Sequence, residues 1–294
     1  MLAIPFLSNA QVKWAEIEIT DGIKKIKVNE QITLGFSSNS GVKIITKDGL
    51  PFKDLNKNGV LDPYEDWRLP VSERAKDLAS KMTVEEIAGL MLYSGHQAIP
   101  AAAGGFSRGT YGGKIFSESG AKSYDLSDQQ IAFLTKDNLR HVLITTVESA
   151  TTAALWNNKA QALVEGLAKG IPTNNSTDPR NGANKDAEYN AGSGGVISQW
   201  PEELGLAATF DPAITKKFGS IASKEYRALG ITTALSPQID LATEPRWNRF
   251  VGTFGEDPKL AIDMARAYVD GFQTSPISIS AYQGWGNKSV NAMV

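Results

Sequence analysis

Short runs in which β-branched and apolar residues interleave with polar ones fill the first fifty positions. Trp14, Ile17, Ile19 and Thr20 open this segment, which runs from about residue 12 to 52. Asp21-Gly22 marks a turn, residues 24–28 and 42–45 are β-type runs, and Asp48-Gly49 marks a second turn. The pattern predicts a small β layer. After Trp67 the spacing becomes helical. Thr83 and Glu86 form a capping box, and Met82 staples to Ile87 at the start of a helix through Met91. Residues 126–135 read as a helix, 140–146 as a buried strand, and 151–169 as a long amphipathic helix ended by Gly170. Asp211-Pro212 and Asp257-Pro258 each supply an N-cap followed by Pro at the first helical position. The first of these helices carries the stripe Ile214, Phe218, Ile221, Ala222 and Leu229 and is closed by Gly230. The second turns Leu260, Ala261, Met264, Tyr268 and Phe272 inward. Residues 231–235 between them have the content of a strand. Alternating strands and helices of this length build βα units around a parallel sheet, in a barrel or a doubly wound fold.

Composition narrows the chemistry. A chain of 294 residues suits one large domain or two small ones, and 41% apolar with 21% charged residues is ordinary for a globular protein. Thirty basic against 32 acidic residues, a net charge of −2, leave no whole-chain basic field for nucleic acid and no broad cationic face for a membrane. The absence of Cys excludes disulfides, thiolate metal sites and thiol nucleophiles. With only His96 and His141 present, a multi-His metal centre is excluded too, so catalysis must rest on carboxylates, hydroxyls, Lys or Arg. The Gly-rich stretch 104–113 lacks the Gly-Lys-Ser/Thr ending of a phosphate loop, and no organic cofactor is expected. No apolar run approaches the roughly 20 residues of a membrane span. The first ten residues lack a positive start but end in the small-x-small Ser8-Asn9-Ala10. They read either as a shortened export signal or as a disordered tail. A periplasmic or secreted location is the expectation.

Residues 54–65 follow the 12-residue EF-hand loop pattern. Asp54, Asn56, Asn58 and Asp62 put side-chain oxygens at loop positions 1, 3, 5 and 9, and Glu65 closes the loop with a carboxylate able to bind through both oxygens. Gly59 allows the sharp turn at the sixth position, Val60 offers its carbonyl, and Leu61 is the expected buried anchor. Hard oxygen donors suit Ca²⁺ and disfavour Zn²⁺ or Cu²⁺. With no second such loop for pairing, a structural staple is expected. The bland alternative is a polar turn that binds nothing.

Pro245-Arg246-Trp247-Asn248-Arg249, followed by Gly255-Glu256-Asp257-Pro258, resembles glycoside hydrolase family 3, the family of β-glucosidases, exo-β-glucanases and related β-xylosidases. Pro201, residues 205–211 and Glu225-x-Arg227-x-x-Gly230-Ile231 continue the match in order. The Asp54 loop running into Asp66-Trp67-Arg68-Leu69-Pro70 is similar to the opening segment of bacterial members. The resemblance extends from about residue 50 to the C-terminus. It departs from the family at Asn248, where Gly is commoner, and in the polar stretch 173–180. The resemblance implies a TIM-type (β/α)₈ barrel, incomplete at its C-terminus, with active residues on loops at the C-terminal face of the strands. Residues 1–72 would be a β-rich leader carrying the calcium loop, and 73–294 the N-terminal part of the barrel. Asp178 matches the family's sugar-binding Asp after a barrel strand, and Arg249 matches the Arg that donates to sugar hydroxyls. A carboxylate accepts from two neighbouring hydroxyls while a guanidinium donates in a fixed fork, so the pair can orient a sugar ring. Otherwise Asp178 merely caps a turn before Pro179 and Arg249 sits in an ion pair. Arg246, Trp247, Glu256 and Asp257 read as structural.

By the same resemblance, the reaction is retaining hydrolysis of terminal β-D-glucosidic or related bonds in an oligosaccharide or β-glucan. Retention needs a carboxylate nucleophile and a second carboxyl about 5–5.5 Å away. In the family both lie beyond the stretch matched here, past a Lys-His pair that this chain does not show. Ser127-Asp128 lies upstream in a helix start and cannot be the nucleophile. The 222 positions from 73 to 294 also fall short of the ~250 of a full barrel. The expectation is an N-terminal portion, inactive alone, that requires the rest of the barrel and a second domain. The competing readings are a non-catalytic carbohydrate-binding protein and a calcium-dependent scaffold module.

Overall fold

A computed structural model describes residues 14–28, 33–178, 197–274 and 291–292. The readings of residues 1–10, of 179–182 and of most of 284–294 lie outside them. Contacts divide the chain into two units, Met1–Val84 with Gln161–Pro172, and Glu85–Ala160 with Thr173–Val294.

In the first unit, the alternating segment forms β1 (Ala15–Thr20), β2 (Ile23–Lys27) and β3 (Thr33–Ser37), an antiparallel sheet in that order. Asp21 and Gly22 make its first turn with positive φ of 48° and 77°. β4 (Lys43–Lys47) and β5 (Leu50–Asp54) form a separate hairpin whose turn, Asp48-Gly49, takes φ of 55° and 76°. Ile26 and Phe52 are fully buried, and Phe52 stacks on Trp67 with ring centroids 5.3 Å apart. The helix α1 (Val71–Lys81) follows the 54–65 loop, and α2 (Val84–Leu90) begins at the unit boundary.

The second unit carries the βα repeats. In chain order come β6 (Gln97–Ile99), α3 (Phe116–Ser119), α4 (Asp128–Thr135), β7 (His141–Val147), α5 (Ala150–Glu165), β8 (Asn174–Thr177), α6 (Glu203–Ala207), α7 (Pro212–Ala228), β9 (Thr233–Ala234), α8 (Pro258–Gln273) and β10 (Asn291–Ala292). The five strands are parallel and lie in sequence order, each beside its predecessor. A doubly wound sheet reverses direction at a switch point, so this order decides for barrel-type winding. Among the described residues the sheet does not close.

Several local readings match. Asp211 and Asp257 cap α7 and α8 by accepting from Ala213 N at 2.9 Å and Leu260 N at 2.7 Å. α4 falls within the expected helix over 126–135, where the structure adds a capping box of Ser127 with Gln130. Three need correction. α5 stops at Glu165, not at Lys169, and the Glu165 carboxylate accepts from Ser37 N and Lys53 Nζ, each at 2.8 Å. Beyond it, Gly166 lies so close to the Ser40 carbonyl that a Cβ would come within 2.9 Å, and Ala168 turns to φ 41°. Ile214 is exposed, whereas Thr215, Gly219 and Ser223 face inward. The reason is the close crossing of α7 and α8: a Cβ on Gly271 would meet Lys216 O at 2.5 Å, and Ser223 Oγ donates to Phe272 O. The strand expected over 231–235 is only Thr233–Ala234. Phe218, Tyr226, Tyr268 and Phe272 fill the space around that crossing as one aromatic cluster.

Candidate functional site

β8 sets the position of Asp178. Its sequence, Asn-Asn-Ser-Thr, has poor strand propensity, yet three of its four residues are buried. Side-chain bonds hold it. Asn175 Nδ2 donates to Asn157 Oδ1 at 2.7 Å, and Asn174 Oδ1 accepts from Thr232 Oγ1 at 2.6 Å and Thr233 Oγ1 at 2.8 Å. With that oxygen occupied by two hydroxyls, Asn174 Nδ2 is the donor toward His141 Nδ1 at 3.1 Å. A neutral His141 therefore carries its proton on Nε2. His141 is thus part of a polar layer inside the sheet, a structural role.

Asp178 follows the last residue of β8, at the C-terminal end of a parallel strand, where the connections of such sheets bind ligands. Its carbonyl accepts from Tyr226 Oη at 3.1 Å. Tyr93, not singled out by sequence, reaches the same strand. Ser176 Oγ donates to Val142 O at 3.1 Å, so the short Tyr93–Ser176 bond takes its proton from the phenol. Burial pushes the Tyr93 phenol up, and the charge of the Asp178 carboxylate adds to the rise.

The connection after β9 carries Arg249. Leu235 N donates to Thr177 O at 2.8 Å, so this connection leaves the sheet beside the residue that precedes Asp178. It continues through Ser236, whose Oγ bonds Tyr268 Oη at 2.7 Å, to Gln238. Arg249 is exposed, precedes the 3₁₀ turn Phe250–Gly252, and donates from Nη2 to Gln238 Oε1 at 2.8 Å. Arg246 instead pairs with Glu244 through both Nε and Nη2 at 2.8 Å, in keeping with a structural role. Asp178 and Arg249 therefore stand on the consecutive connections that leave the C-terminal ends of the neighbouring strands β8 and β9.

Two other groups bear on function. The Glu203 carboxyl is pushed up to about 7 by burial and, secondarily, by the charge of Glu202. In the first unit, the 54–65 loop folds as the turn its pattern requires, with Gly59 at φ 77°. Asp54 accepts from Asn58 N and Gly59 N at 3.0 Å, and Glu65 reaches back to Leu55 N at 2.7 Å and Asp62 N at 3.0 Å. Asn56 and Asn58 both donate their amides to Asp62 Oδ2, at 2.7 and 2.8 Å. Burial works against ionisation of Asp62, but those amides and Lys81 hold its carboxyl below the usual range. Val60 is exposed and Leu61 half-buried rather than a buried anchor. Among the described residues, no three His or acidic side chains are gathered as a ready-made metal cage. The hard-oxygen donors and the turn fit Ca²⁺, and binding would exchange the present hydrogen bonds for metal contacts.

Residues 113–291 match the glycosyl hydrolase family 3 N-terminal domain. The chain is 44% identical over 243 residues to a periplasmic beta-glucosidase/beta-xylosidase of Dickeya chrysanthemi, covering 82% of this chain and 34% of that protein. It is 36% identical over 224 residues to beta-glucosidase C of Emericella nidulans, covering 75% of this chain and 32% of that protein. The solved structure of a β-glucosidase from Erythrobacter marinus shares the fold, with a TM-score of 0.55 and 22% identity, over 79% of this chain and 26% of that one. The chain spans about a third of the length of the curated relatives it matches.

Proposed function

This chain belongs to glycosyl hydrolase family 3, and from that premise we propose that it forms the sugar-binding part of a retaining β-glycosidase acting on terminal β-glucosidic or related bonds of oligosaccharides. The observation that carries this reading is the placement of Asp178 directly after β8 and of Arg249 on the next connection, which starts beside it. Asp178 accepts hydrogen bonds from two adjacent hydroxyls of the terminal sugar, and Arg249 donates to them. Together they fix the ring relative to the bond that breaks. The nucleophile and acid/base that retention requires are proposed to come from polypeptide beyond this chain, since the curated relatives are about three times as long. The Asp54–Glu65 loop is proposed to hold a structural Ca²⁺ through Asp54, Asn56, Asn58, the Val60 carbonyl, Asp62 and Glu65. The ion would supply a cross-link within the first unit and no chemistry. Export to the periplasm is proposed from the likeness to the periplasmic beta-glucosidase/beta-xylosidase of Dickeya chrysanthemi. No helix among the described residues is long and apolar enough to cross a membrane.

The test compares the 294-residue chain with a version extended by a family member's remaining barrel and second domain, both on a chromogenic β-glucoside. Activity in the extended version alone is the expected result. Hydrolysis by the 294-residue chain itself would mean that it holds its own carboxylate pair. Glucose binding without hydrolysis in either version would favour a non-catalytic binding protein.

A further inference from the structure

Arg249 has no carboxylate partner among the described residues, and its one side-chain hydrogen bond is the 2.8 Å contact from Nη2 to Gln238 Oε1. The other end of that amide is anomalous. Gln238 Nε2 is buried and has no hydrogen-bond partner. An apolar side chain at this position would leave no buried donor unsatisfied, so what this amide contributes in place of one is the acceptor its oxygen offers Arg249. A neutral acceptor also does what a carboxylate cannot. It directs one N–H of the guanidinium while leaving the positive charge unpaired. The loop is itself anchored: Leu235 N bonds Thr177 O, Ser236 Oγ bonds Tyr268 Oη, and Ala242 N bonds Gly255 O at 3.0 Å.

We propose that Gln238 is a positioning residue that holds the Arg249 guanidinium in its sugar-binding orientation while keeping its charge available to the ligand. The inference rests on the reading of Arg249 as a sugar-binding residue. Holding an otherwise exposed Arg in one orientation removes an ordering cost from sugar binding. Gln238→Leu frees the guanidinium. Gln238→Glu keeps it held but pairs its charge.

The experiment uses the whole 294-residue chain and two readouts. The first is ¹⁵N NMR of the arginine side chains, in which a held guanidinium shows slow exchange of its two Nη groups. Slow exchange for Arg249 is expected in the unsubstituted chain and in Gln238→Glu, and fast averaging in Gln238→Leu. The second is calorimetric titration with glucose. Gln238→Leu is expected to weaken binding by about 3- to 10-fold. Arg249→Ala should weaken it at least as much, and the double variant should match Arg249→Ala alone. Unchanged Nη exchange in Gln238→Leu, or additive losses in the double variant, overturns the proposal. If Arg249→Ala binds glucose normally, the sugar-binding reading of Arg249 fails, and the exchange readout still decides whether Gln238 holds it. Thermal melts of each variant separate these effects from unfolding.

Discussion

Replacing Glu203 by Gln should stabilise the protein in a way that depends on pH. The Glu203 side chain lies in the short helix α6 and is buried, with the charge of Glu202 as its electrostatic neighbour. Its carboxyl titrates at about 7 in the folded chain against 4.5 for the free group. A raised carboxyl binds its proton more tightly when folded than when unfolded. The folded state therefore loses stability as pH rises from about 4.5 to 7 and recovers none of it above that range. The gap corresponds to about 3 kcal/mol at pH 8. Gln has nearly the same shape and cannot ionise, so Glu203→Gln removes this penalty and is close to neutral below pH 5, where Glu203 is protonated. For a unit of this size the gain at pH 8 is roughly 6–12 °C in Tm. Melts followed by circular dichroism at half-unit steps from pH 4 to 8.5, for both chains, provide the measurement. The difference in Tm cancels every other titrating group and should open between pH 5 and 7.5. A difference that stays constant with pH, or a variant less stable at pH 8, would refute the assignment of a buried, raised carboxyl.

Two further substitutions probe the packing and the loop. Gly271→Ala places a Cβ about 2.5 Å from Lys216 O at the α7–α8 crossing, which no rotamer change can relieve. Although Ala is the better helix former by ~1 kcal/mol, the variant should lose about 1–3 kcal/mol in denaturant titrations, and an unchanged midpoint would contradict the close approach. Under the structural-calcium proposal, millimolar Ca²⁺ should raise Tm relative to chelator, and Asp54→Ala should abolish that difference. Identical melts with and without Ca²⁺ in the unsubstituted chain would sink the staple.

Much of the fold was legible because it is written in local chemistry. Asp211-Pro212 and Asp257-Pro258 act through backbone N–H groups two and three residues away, so they serve as caps wherever the chain goes. Asp21-Gly22 and Asp48-Gly49 make turns because those residues tolerate positive φ. β8 was illegible for the opposite reason. Asn174 to Thr177 form a polar stretch whose own residues do not spell a strand; only the family resemblance placed a barrel strand before Asp178. It is the ladder with β7 and β9, together with partners as distant in sequence as Asn157, Thr232 and Thr233, that buries it. Gln238 was equally silent, since a Gln in a loop has no meaning until Arg249 folds back to it eleven residues later.

The sequence by itself determined the family resemblance, the βα rhythm and the helix starts, each of which rests on residue types at short, fixed separations. Asp178 and Arg249 stood out only through that resemblance. Only the tertiary structure decided that the sheet winds in strand order, that α7 buries Thr215 and Ser223 in place of Ile214, and that Glu203 is stripped of water. It also decided that a neutral amide, and no carboxylate among the described residues, holds Arg249. Winding, helix-face selection and desolvation are set by what packs against a residue. A close Gly–Gly crossing or a buried carboxyl exists only once segments far apart in the chain have met.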